Sequence, residues 1–219
     1  MTRMTTLQIS QLDRMNEASR KAGGIGTRID TLEYGTAEVP SAGTVVSAPI
    51  VHYAISNAYI GTATKMHAAV TLASGATTTV TTAITNPDYP RILSVKGNDG
   101  NVTGNCVFTG TDINGDALTE TIVASGSSED FGTKAFKTVT QIVLPAYAVA
   151  GTETISIGMG DKFGFPIAIS NDALVISKNF DGATDAGTVT VGATAARSLY
   201  AVAGTLNGAK DVDLWFIAA

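Results

Sequence analysis

The chain has 219 residues, 44% hydrophobic and 15% charged, with a net charge of −5 and a sequence pI near 4.9. That length and hydrophobicity allow one sizeable core and exclude a disordered chain, and the acidity excludes a general nucleic-acid binder, which needs a basic footprint. The single cysteine, Cys106, excludes an intrachain disulfide, and no apolar run reaches the roughly 18 residues of a membrane span.

Residues 5–22 read as a helix. Thr5 and Gln8 have capping-box spacing. Met4, Leu7, Met15, Ala18 and Ala22 share one face at a 3.6-residue period, with Leu12 at its margin. Gly23 and Gly24 can end the helix. Glu17 and Lys21 form an i,i+4 pair on the polar face. Residues 1–28 hold Arg3, Arg14, Arg20, Lys21 and Arg28 against Asp13 and Glu17, a balance of +3, which leaves −8 for the rest of the chain. This basic segment is either a solvated helix face or a docking element for an acidic protein surface. Its start lacks the apolar stretch of a secretory signal, so synthesis in the cytoplasm is expected.

Residues 25–60 have no period and are interrupted by Pro40, Pro49 and several Gly and Ser. Thr44–Val46 and Tyr53–Ile55 are the only strand-like runs in them. The expected organisation is therefore a helix and extended arm over 1–60 and an all-β domain over 61–219. From Gly61 onward, Thr/Val/Ala/Ile runs alternate with Gly, Asn and Asp turns. Strands are expected near 66–72, 77–84, 90–96, 104–110, 117–124, 135–143, 153–158, 165–169, 173–177, 187–191, 197–203 and 212–217. Asn98-Asp99-Gly100, Asn114-Gly115, Asp181-Gly182 and Asn207-Gly208 are hairpin signals. Many short strands with such turns predict a mainly β body, a sandwich, jelly roll or barrel.

No residue pattern points to catalysis. Asp112, Asn114 and Asp116 alternate like calcium ligands, but Gly115 and Glu120 are misplaced for an EF-hand loop, so a hairpin turn is the stronger reading. His52 and His67 have no metal-like spacing, and Cys106 sits in an apolar strand-like run as a buried small side chain. Two histidines give a Ser or Cys nucleophile little choice of base. Carboxylate pairs exist, but a sugar-cleaving cleft is usually rich in aromatics, and Trp215 is the only tryptophan. Residues 157–162, Ile-Gly-Met-Gly-Asp-Lys, lack the phosphate-loop pattern and read as a bend joining strands. The apolar run Leu214–Ala219 is either the last core strand or an intersubunit contact. The expectation is no catalytic residue, no cofactor and no metal.

Residues 65–170 carry a further signal. The order Ile84-Thr85-Asn86-Pro87-Asp88-Tyr89-Pro90-Arg91, then Gly110–Asp116 leading to Thr119–Ile122, then Thr133-Lys134-Ala135-Phe136-Lys137 with Val139–Ile142, then Gly160–Pro166, resembles virion structural proteins of tailed bacteriophages, above all capsid decoration or cement proteins. The resemblance implies a non-enzymatic β protein made in the host cytoplasm and carried on the virion's capsid surface. Its implied partners are the major capsid protein and further copies of itself, often as a homotrimer, with no nucleic acid and no membrane. A tail, baseplate or fibre component, or a carbohydrate-binding module on the virion, is the alternative.

Overall fold

The computed structural model describes residues 36–41, 44–149 and 151–218. The helix expected over 5–22 lies outside them. The described chain is mainly β, and its curled sheets form a half-barrel.

The first two strands, β1 (Thr36–Ser41) and β2 (Thr44–Ile55), form an antiparallel pair. Short β3 (His67–Thr71) and β4 (Thr78–Val80) precede the long strands β5 (Arg91–Gly97), β6 (Thr103–Thr111), β7 (Ala117–Ser125), β8 (Glu129–Phe136), β9 (Thr138–Leu144) and β10 (Thr154–Gly164). The last part holds β11 (Val175–Phe180), β12 (Ala183–Thr184), β13 (Thr188–Thr190), β14 (Leu199–Ala201) and β15 (Val212–Ile217), with 3-10 turns at Asp172–Leu174 and Ala195–Arg197. They build three sheets of order β1-β2-β15-β11-β12, β13-β14-β10-β5-β8 (with β3 also on β10), and β4-β9-β6-β7.

Alternation along the strands sorts side chains between core and surface. On β7, Glu120, Ile122 and Ala124 are buried and their neighbours exposed. Two cores result. The first lies between the four-stranded sheet and β5, β8 and β10, around Leu93, Phe108, Phe136, Ile142 and Ile157. The second lies under the β2–β15–β11 sheet, around Ile55, Phe163, Phe165, Tyr200, Leu214 and Phe216. β10 serves both: Ile155, Ile157 and Met159 enter the first and Phe163 the second, with a register shift between Met159 and Phe163.

Several expectations change. Residues 44–55, assigned to the arm from sequence, form β2, which pairs with β15 from Ile50 to Ile55. Ile55 and Ala58 are fully buried, so this segment is part of the body. The strand expected over 135–143 is two strands, because the chain changes sheet at Lys137. Residues 165–169 are not a strand: Pro166 lacks an N–H, and Ile169 N–H is instead taken by Ser198 Oγ at 2.8 Å. Asn98-Asp99-Gly100 joins β5 to β6 in different sheets, and Asn207-Gly208 likewise separates strands of different sheets. Asn114-Gly115 and Asp181-Gly182 do close hairpins. In the latter, positive φ at both residues, 53° and 79°, is the primed geometry that matches strand twist.

Candidate functional site

The junction between the two cores holds a buried polar cluster around Arg91. Arg91 opens β5 and is fully buried. Its Nε lies 2.8 Å from Asp88 Oδ1, its Nη2 donates to Asp88 Oδ2 at 2.8 Å, and its Nη1 donates to Asp161 Oδ1 at 3.3 Å. The guanidinium also sits 4.4 Å from the Phe163 ring centroid. Burial lowers the Arg91 pKa, and the Asp88 charge opposes that shift. Both carboxylates reach further. Asp161 accepts Gly61 N–H at 2.6 Å, and Asp88 accepts Tyr59 N–H at 3.1 Å and Tyr89 N–H at 2.9 Å. Tyr89 Oη accepts Ser56 N–H and donates to Ser56 carbonyl, both at 2.9 Å. The loop 56–61 is thereby tied to β5 and β10.

The segments that carry the bacteriophage resemblance are joined to one another by hydrogen bonds. Lys137 Nζ donates to Asp88 carbonyl at 3.3 Å. Asn86 Oδ1 accepts Val139 N–H at 2.7 Å, Lys137 N–H donates to Thr111 carbonyl at 2.8 Å, and Asn114 Nδ2 donates to Pro166 carbonyl at 3.3 Å. Gly164 N–H donates to Pro90 carbonyl at 2.8 Å. Four stretches distant in sequence therefore form one packed unit.

The other sequence candidates are scattered. Asp112 is buried, and its Oδ1 accepts Asn114 N–H at 2.8 Å and Asp116 N–H at 3.1 Å, so its carboxylate organises the β6–β7 turn. His52 stacks on Trp215 at 4.0 Å between ring centroids and contacts Asp213 at 2.7 Å, on the face of the β2–β15 sheet away from the second core. His67 Nδ1 lies 2.7 Å from Ala68 carbonyl oxygen. Cys106 is buried in the first core, and burial, with the Asp130 charge adding to it, raises its thiol pKa to about 12. Leu214 and Phe216 make β15 a core strand. The glycines of residues 157–162 lie inside β10, where Gly158 lets Thr62 carbonyl approach the strand. Among the described residues no three His, Cys, Asp or Glu group as metal ligands would.

The chain matches no known family, curated protein or solved structure.

Two buried carboxylates, Glu120 and Asp185, have structural roles that the sequence does not show. Glu120, on an inward position of β7, accepts Thr133 N–H at 2.7 Å, Thr133 Oγ1 at 3.0 Å and Lys134 N–H at 3.4 Å. It thus satisfies β8 amides across the seam between two sheets, where Gly132 leaves room for it. Ser125 donates to Asp130 from its N–H at 2.7 Å on the same seam. Asp185 accepts the buried Tyr200 hydroxyl and Ala203 N–H, holding β13 and β14 beside the second core. The inward acidic position within an otherwise apolar alternation, Glu120 between Leu118 and Ile122, was the available clue.

Proposed function

We propose that the protein is a non-enzymatic structural component of a bacteriophage virion that decorates and stabilises the capsid. It is made in the host cytoplasm and ends on the capsid surface. There it contacts the major capsid protein and self-associates, with a trimer the number that the resemblance implies. The observation that carries the reading is that the four resembling segments pack on one another, two of them holding the Asp88–Arg91–Asp161 cluster and the other two joined to them through Lys137 and Asn114. A pattern that serves one packed unit is a scaffold pattern. Its carboxylates face a guanidinium and backbone amides, which fix geometry. A capsid under internal pressure gains from a rigid part that crosses subunit seams, because weak contacts repeated by symmetry act at high effective concentration.

The test is direct. Capsids from a phage lacking this gene are mixed with the purified protein and imaged by electron cryomicroscopy. Ordered density at symmetric positions on the outer shell is expected. Density confined to the tail would replace the capsid reading with a tail component, and no added density would overturn both.

A further inference from the structure

The four-stranded sheet turns a charge-free face to solvent. Its strands β4, β6, β7 and β9 contain one charged residue, Glu120, and that residue is buried. The outward positions hold threonine and valine in register. Val107 stands opposite Thr121 on one side and Val143 on the other, and Thr109 stands between Thr119 and Gln141. Thr119, Thr121 and Val123 are exposed, Val123 by 57%. Charge returns at the β7 rim, where Lys134 and Arg197 line a shallow pocket with Thr119 and Thr121. A centre without charge inside a polar, charged rim is the anatomy of a protein–protein interface.

We infer that this face pairs with the same face of a second copy. Outside residues 1–28 the chain carries −8, so two bodies repel each other wherever their charged surfaces meet and can approach where charge is absent. Four strands about 4.8 Å apart and up to about 30 Å long offer on the order of 500 Å² per copy, or about 1,000 Å² for the pair, which is where a specific contact becomes stable. The threonine hydroxyls and valine methyls suit the close approach of two sheets, which pack about 10 Å apart. Because the patch is shared, the contact is isologous and two-fold. Copies therefore assemble in even numbers, and a trimer that also uses this face becomes a hexamer. The inference rests on the self-association part of the proposed function.

Analytical ultracentrifugation of the full chain tests it. The wild type is expected at twice the 22.4 kDa chain mass, or at a higher even multiple. Thr121→Glu puts a carboxylate on the uncharged face, where pairing would strip its water, and should weaken pairing at least about tenfold, the effect of about 1.4 kcal/mol. Circular dichroism and melting of T121E at a concentration where both proteins are monomeric should match the wild type, which a misfolded variant would not do. Hydrogen exchange on the wild type checks the contact without any substitution: protection of β6 and β7 amides should rise with protein concentration. A monomer or a bare trimer at high micromolar concentration, or T121E association equal to wild type, would overturn the pairing. So would loss of association on deleting residues 1–28 when T121E has no effect, since the arm would then be the contact. A pair that fails to bind capsids overturns the proposed function and leaves the pairing, and a bare trimer that decorates capsids does the reverse.

Discussion

Cys106 keeps its proton in the folded state far above the usual thiol range, from 9.0 to about 12, because burial disfavours the thiolate. The unfolded chain gives up this proton first as pH rises, so the native state binds more protons in that window. Stability is then full below about pH 9 and falls through the range up to about pH 12. Burial raises Tyr53 and Tyr200 in the same direction, with Asp88 and Asp185 respectively adding to it, so their loss follows at higher pH. Thermal melts should show Tm dropping from about pH 9 upward, and C106A, though less stable at neutral pH, should lose less over that interval. Tyr53 also has a buried hydroxyl without a hydrogen-bond partner among the described residues. Y53F removes an unmet polar group and should raise stability by about 1 kcal/mol in chemical denaturation. Arg91 behaves oppositely. R91A leaves Asp88 facing a buried void and should cost about 3–5 kcal/mol, while R91M, which keeps the volume, should cost less. Asp161 is 42% exposed, so solvent screens its share and D161N should be the mildest of the three.

At the scale of the strands, close approaches matter more than propensity. A Cβ at Gly110 would run into the backbone carbonyl of Thr138, where β6 and β9 shift register. Backbone cannot swing aside as a side-chain tip can, so G110A should destabilise by about 1–3 kcal/mol, read as a lower denaturant midpoint. The strands that alternate cleanly, such as β6 and β7, were legible in the sequence because each has one wet face and one dry one. β15 was legible too, as an apolar run of strand length. β2 was hidden, since Pro49 and the small residues around it obscure a strand in which successive residues 50–53 are all half-buried, with no alternation. The Glu129 end of β8 was hidden because its acidic, Gly-containing start reads as a turn, and further along the strand the Thr133 and Lys134 amides are satisfied by the Glu120 carboxylate from another sheet. Of the candidate site, the segments were legible but their meeting point was not: Asp88 and Arg91 are three residues apart, whereas Asp161 is seventy further on, and only the fold brings it in.

For the whole molecule, the position of β2 changes what a truncation should do. Deleting residues 1–28 removes the basic segment and leaves every described strand, so the body should stay folded while assembly or capsid attachment weakens and its salt dependence falls. Deleting residues 1–60 removes β2 and with it Ile55 and Ala58, so circular dichroism and melting should show loss of the second core. Equal decoration of capsids by the shorter deletion and the full chain would show that the arm is not an assembly device. The β2–β15 pairing also sets an order in time. His52 and Asp213 meet across 161 positions of chain. During synthesis, β2 leaves the ribosome with β1 beside it but β15 unmade, and the first core, drawn from residues 66–159, has all its strands while the second is still waiting. Closure of so distant a pair is slow in general, because loop entropy must be overcome before any contact compensates for it. Until β15 arrives, the Ile50–Ile55 edge of β2 stays open, and a chaperone or a neighbouring nascent chain has that interval in which to bind it.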